Sequence, residues 1–279
     1  MREAPERAVV EKPLIHRQSI WTRLTHWVWV IALFFLLFSG LQIFNAHSSL
    51  YIGQQSGFEF DNSILSMHAE RLPDGSIAGY TTLWGNTFDT TGLFGYSGPE
   101  GRERVRGFPS WLTIPSYQDL GTGRVVHFFF AWVLVGTLAI WLIASAINGH
   151  IRRDIVPTGG DLKALPRDVV DHARLRFRHT RHYNVLQKLS YAIVLFVLFP
   201  LIILTGLTMS PGMNAGWPWL VELFGGRQTA RTIHFGVMVL LVAFFFVHIA
   251  MVVLAGPFNT MRSMITGKYR IEPESEDKP

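Results

Sequence analysis

The sequence predicts an all-α integral membrane protein: a four-transmembrane-helix bundle, both termini cytoplasmic, with a long extracytoplasmic loop between helices 1 and 2. Three observations carry this. Charged residues are only 16% of the 279, where a soluble domain carries about a quarter. Four apolar stretches are each long enough for the roughly 20 helical residues that cross a bilayer. The 25 Lys and Arg residues gather between those stretches, not along one arm. That distribution fits membrane topology and argues against nucleic acid as a partner, despite a net charge of +5.

Taken in order, the N-terminal segment is basic, with Arg2, Arg7, Lys12, Arg17 and Arg23. Helix 1 is expected over 24–44, "LTHWVWVIALFFLLFSGLQIF". It is too long for a cleaved signal peptide and no small-residue cleavage site follows, so it is expected to be retained. The outer loop, 45–123, holds four arginines against eight acids. It is too long for a simple connector. Its aromatics (Trp84, Phe88, Phe94, Tyr96, Phe108 and Trp111) are unlike a disordered tail. It should fold, either as a cap or docking surface or as a plain cover over the bundle. Helix 2 follows over 125–147. The cytoplasmic loop, 148–185, and the residues just after it carry Arg152, Arg153, Lys163, Arg167, Arg174, Arg176, Arg178 and Arg181 against four aspartates. Helix 3 is expected over 186–209 with a kink at Pro200, then a short "SPGMNAGWPWLVELFGG" turn, then helix 4 over 233–255. The excess of basic residues places both termini and the loop 148–185 in the cytoplasm and the other two connections outside. Trp21, Trp27, Trp217 and Trp219 stand near span ends, as interfacial anchors do. The whole chain, 1–279, reads as one membrane domain.

Eleven histidines punctuate the chain. His172, His179 and His182 fall in the basic loop and are expected in solvent. His16, His47, His68 and His150 lie outside the spans and receive no role. The remaining four are intramembrane: His26 in helix 1, His127 in helix 2, His234 and His248 in helix 4. His234 and His248 are 14 residues apart, about 21 Å along a helix and just under four turns, so both rings share a face. Following the alternating direction of the spans, His127 matches His234 in depth and His26 matches His248. Each pair bridges two helices at one depth, as a bis-histidine b haem requires. Any single intramembrane histidine could instead hydrogen-bond a neighbouring helix. Four at two matched depths favour function. Zinc fits less well, because two histidines supply half a tetrahedral shell and no acid lies in the spans. The absence of cysteine excludes covalent haem, thiolate iron–sulfur clusters and disulfides.

"RLTH", "RVVH" and "RTIH" place Arg23, Arg124 and Arg231 three residues before His26, His127 and His234. Residues at i and i+3 share a helix face, and arginine binds a carboxylate through two parallel hydrogen bonds. Contact with haem propionates is one reading; interfacial anchoring is the other. Gly136 and Gly236 could admit a flat macrocycle or simply pack helices.

These residues resemble the di-haem cytochrome b561-like membrane subunits, a group that includes the b-type subunits of formate dehydrogenase, nickel–iron hydrogenase and thiosulfate reductase. The resemblance covers all four spans. It rests on "RLTHW" at Arg23–Trp27, His127, "YNVLQKLSY" at Tyr183–Tyr191, "LTGLTMSP" at Leu204–Pro211 and the His234/His248 spacing. It implies His26, His127, His234 and His248 as axial ligands of two b haems. The outer loop, with "GYTTLWGNTFDTTGLFGYS" at Gly79–Ser97, looks most like the thiosulfate-reductase type and departs from the shorter loops of stand-alone b561 proteins.

The resemblance implies a di-haem cytochrome of the bacterial inner membrane that moves electrons between the quinone pool and an extracytoplasmic oxidoreductase of molybdopterin type. Its place would be that of an electron-transfer subunit in a quinone-linked complex. Two histidines on each iron leave no open position, so the haems would carry electrons and not activate oxygen. Tyr183, Asn184, Gln187 and Lys188, with the cytoplasmic ends of helices 1 and 3 near His26, are the candidate quinone site. Capping of helix 3 is the competing role for these residues. The rival readings are a stand-alone quinone-linked oxidase or ferric reductase, and a histidine-relay transporter or proton channel.

Overall fold

A computed structural model describes residues 13–57, 60–174, 176 and 183–271. Arg2, Arg7, Lys12, Arg178 and Arg181, with His179 and His182, lie outside the described residues. Four helical runs are long and apolar enough to cross a membrane: α1 (Ile20–Phe44), α2 (Leu120–Ile147), the run Val185–Met209, and α8 (Arg227–Leu254).

The helices begin before the apolar stretches do. Hydropathy marks where side chains turn polar, whereas a helix begins where its first N–H groups find acceptors. Ser19 accepts from Thr22 N–H (3.1 Å) ahead of α1, and Asp119 accepts from Thr122 N–H (3.1 Å) and hydroxyl (2.7 Å) ahead of α2. Thr229 N–H in the first turn of α8 donates to Gly53 O at 3.2 Å. These early starts set Arg23, Arg124 and Arg231 within helix, so their i, i+3 relation to the histidines is real.

Pro200 acts through its neighbours. The run Val185–Met209 consists of α4 (Val185–Ile193), a π turn at Val194–Leu198, and α5 (Phe199–Met209) with Pro200 in its first turn, and the short helices α6 (Pro211–Gly216) and α7 (Trp219–Leu223) follow it. Proline has no N–H to give and its ring crowds the carbonyl four residues back. The wider π turn absorbs both defects.

The connection between α1 and α2 is where the all-α expectation fails. It forms an antiparallel four-stranded sheet in the order β2-β3-β4-β5, from β2 (Ser49–Tyr51), β3 (Ser63–Arg71), β4 (Ile77–Leu83) and β5 (Asn86–Asp89). A ribbon of β6 (Gly95–Ser97) and β7 (Arg104–Arg106) accompanies it. A Cβ on Gly79 would meet Tyr96 N at 2.6 Å and one on Gly95 would meet Tyr80 N at 2.9 Å, so only glycine lets β6 lie this close to β4.

The contacts divide the chain into two compact units. One comprises Trp27–Ala139 and Leu195–Ala243. Its core gathers Leu41 and Phe44 of α1, Leu50 of β2 and Phe108, with Leu65, Met67, Phe94, Phe235 and Met238 packed around them. Phe44 meets Phe108 at 5.5 Å and Phe235 at 5.0 Å between ring centres. Asn45 clasps the backbone of Phe108 from both sides, donating to its O (3.2 Å) and accepting from its N–H (2.7 Å). Buried Arg106 donates to Phe108 O, Ser116 O and Thr113 Oγ1, so its charge is surrounded by acceptors. These bonds tie the folded connection to the end of α1.

The other unit comprises Met1–His26, Ile140–Val194 and Phe244–Pro279. Here β1 (Leu14–His16) pairs antiparallel with β8 (Lys268–Arg270), which follows α9 (Pro257–Thr266). Helix α3 (Gly159–Ala173) opens with a capping box between Thr158 and Asp161. Asp161 also receives buried Lys188 of α4 at 3.0 Å, and Asp168 accepts from Leu186 N–H at 2.9 Å.

Candidate functional site

The four intramembrane histidines form two matched pairs, each within one unit. His127 of α2 and His234 of α8 have ring centres 6.4 Å apart with planes at 55°. His26 of α1 and His248 of α8 are also 6.4 Å apart, at 56°. An iron about 2 Å from one nitrogen of each ring, the usual metal–imidazole distance, would leave the centres roughly 6 Å apart. Both pairs therefore fit one metal between two rings. Among the described residues no group of three or more His, Cys, Asp or Glu side chains could hold a metal ion. Each pair would supply two imidazole nitrogens to an iron placed between its rings, as b-type haem uses.

The His127/His234 pair has a built surround. Ser39 Oγ lies 3.1 Å from His127 Nδ1, and Thr205 Oγ1 lies 3.0 Å from His234 Nδ1. The next residue on each helix is glycine. A Cβ on Gly40 would stand 3.2 Å from His127 Cε1, and one on Gly206 would stand 3.3 Å from His234 Cε1. Four helical segments thus meet here: α2 and α8 present imidazoles, α1 and α5 support their far edges. In the other pair, Phe244 stacks on His248 at 5.7 Å, one turn away on the same helix.

Gly136 and Gly236 do not touch the imidazoles. Gly136 follows His127 by nine residues and Gly236 follows His234 by two. At about 100° per residue both fall on the far side of their helices, and a Cβ on either meets nothing within 4 Å. The glycines on the rings are Gly40 and Gly206, which nearness in sequence does not reveal. The recurring dipeptides in "FSGL" and "LTGL" were the available signal.

The three arginines hold protein partners. Arg23 donates to Ile265 O at 2.7 Å, Arg231 donates to His47 O and lies over the Phe44 ring, and Arg124 lies over the Phe128 ring at 5.6 Å.

The quinone candidates sit in one polar network. Tyr183 OH accepts from Gln18 at 2.6 Å, and Arg17 lies over the rings of Tyr183 (4.7 Å) and Tyr269 (4.3 Å). Burial raises the Tyr183 pKa. Asn184 caps α4 by accepting from Gln187 N–H at 2.9 Å, and Lys188 is paired with Asp161. The Asp161 carboxyl is held down to about 2, first by the Thr158 backbone N–H and then by Lys188. His172, expected in solvent, is instead largely covered: it bonds Asp168 O at 2.8 Å and Asn184 at 3.2 Å, because α3 packs against the start of α4.

Residues 157–267 match the model of a family described as prokaryotic cytochrome b561. The match includes His234 and His248 and leaves His26 and His127 outside it. A protein of Azospira oryzae, named as a candidate protein-methionine-sulfoxide reductase subunit YedZ1, is 32% identical over 161 residues, 57% of this chain and 77% of that protein. No solved structure matches.

Proposed function

Because this chain belongs to the prokaryotic cytochrome b561 family, b-haem electron carriers built into the bacterial inner membrane, we propose that it passes electrons between the quinone pool and an extracytoplasmic oxidoreductase through two haems. The observation that carries the proposal is the repetition of one geometry: two histidine pairs, each at 6.4 Å. His26 and His248 would hold one haem, His127 and His234 the other. Arg23, Arg124 and Arg231, one helical turn from a ligand, would turn to the propionates. With iron held by two imidazoles, the haem supplies a one-electron couple and no open coordination site.

The positive-inside rule supports cytoplasmic termini and an outward-facing sheet over 45–123. That sheet is the surface offered to a partner, which we assign to the molybdopterin class. The sulfoxide-reductase name of the Azospira relative and the thiosulfate-reductase likeness of the loop agree on an oxidoreductase partner and differ on its substrate. For the quinone, Tyr183 and Gln187 are the better candidates. Asn184 is committed to a helix cap and Lys188 to an ion pair, whereas Tyr183 accepts from Gln18 and keeps its own proton to donate. A hydroquinone releases two electrons and two protons; the electrons would go singly to the haems and the protons to water, while Tyr183 would hold a quinone oxygen by donating a hydrogen bond to it.

Anaerobic addition of a short-chain hydroquinone to the purified cytochrome tests this reading. The haem bands should sharpen into their reduced form, and Tyr183→Phe should slow that reduction about tenfold, the scale of one lost hydrogen bond to the substrate. Haems that dithionite reduces and hydroquinone does not would remove the quinone from the proposal.

A further inference from the structure

We infer that Ser39 and Thr205 are positioning residues that fix which nitrogen of His127 and His234 faces the metal and lower that haem's reduction potential. The inference rests on the reading of this pair as haem ligands.

A hydroxyl has one proton to give. Ser39 Oγ gives it to Phe35 O, four residues back, at 2.5 Å, and Thr205 Oγ1 gives it to Leu201 O at 2.7 Å. A second carbonyl shares each proton, Leu36 O at 3.4 Å and Ile202 O at 3.2 Å. Toward the imidazole each oxygen can then only accept. The proton between Ser39 and His127 therefore sits on Nδ1, and the same holds for Thr205 and His234. With Nδ1 protonated, Nε2 carries the lone pair, the one atom an iron can use.

The arrangement occurs twice, on two helices. Ser39-Gly40-Leu41 of α1 and Thr205-Gly206-Leu207 of α5 each present a hydroxyl to Nδ1, then a residue without a Cβ where the ring edge comes closest. Ser39 and Thr205 are both completely buried. A threonine or serine that merely back-bonds to its own helix needs no histidine beside it and no glycine after it. An acceptor on the far nitrogen of a metal-bound imidazole makes the ring a stronger donor, which favours ferric over ferrous iron and lowers the potential.

A redox titration of the full-length protein, followed in the visible spectrum, tests the role. Ser39→Ala and Thr205→Val should keep about two haems per chain and move one of two midpoints upward. A tenfold change in that haem's reduction equilibrium corresponds to 59 mV for one electron. The other midpoint should stay, and Thr205→Ser should behave as the unaltered protein. Loss of one haem in Thr205→Val with retention in Thr205→Ser also supports the inference. Full haem content with both midpoints unchanged overturns it, as does equal haem loss in Thr205→Val and Thr205→Ser. An unaltered protein without haem would fail the ligand assignment itself, a separate result.

Discussion

At the residue scale, the tightest constraint on the His127/His234 pair is steric. A methyl at Gly40 would stand 3.2 Å from the His127 ring, closer than ordinary contact, so Ala there forces the ring to give a few tenths of an ångström. Valine adds two more carbons in a helix whose other neighbours are packed. We expect Gly40→Val to lower haem content from two per chain toward one, measured by pyridine haemochrome against protein, while Gly136→Val leaves it unchanged. The four histidines were legible in the sequence because helical periodicity converts a spacing of fourteen into a shared face. Their supports were not, since one serine or glycine in a membrane helix reads as packing. Only the rings beside Ser39-Gly40 and Thr205-Gly206 give those dipeptides a meaning. For Arg23, Arg124 and Arg231 the sequence supplied helical position but not direction, and their guanidinium groups rest on carbonyls and rings of the protein.

At the element scale, the packing of α3 against α4 depends on Asp161, which caps its own helix and pairs with Lys188. Lys188 is buried while Asp161 keeps about a fifth of its surface. Removing the acid would strand a buried ammonium, and with the usual penalty discounted for that exposure we expect Asp161→Ala to cost about 2 kcal/mol. A folded-state pKa depressed to about 2 makes the contribution pH-dependent. It is fully present above about pH 4, where an unfolded aspartate is ionised, and is lost as pH falls through about 2. Thermal unfolding in detergent should show a gap between wild type and Asp161→Asn at pH 7 that narrows by pH 3. The spans themselves were legible from length and apolarity, and their true starts were not, because caps such as Ser19 and Asp119 lie beyond the apolar run. The sheet in the long connection was half legible. Ile64, Leu65 and Met67 of β3 pack against the core without the strict alternation that marks a strand, within a stretch whose glycines and aromatics suggested only that it folds.

At the scale of the whole molecule, one chain without cysteine carries two copies of a single histidine-pair geometry, and each copy lies within its own unit. The family relationship establishes b-type haem and the inner membrane. The proposal of two haems, and of electrons passing between them, rests on the pairing of the histidines. A reduced-minus-oxidised spectrum of the purified chain, calibrated as haem per protein, tests that pairing most directly. We predict a ratio near two, falling to near one in His127→Ala, His234→Ala, His26→Ala or His248→Ala alike. A ratio of one in the unaltered protein, or a histidine pair whose loss leaves the ratio at two, would contradict it.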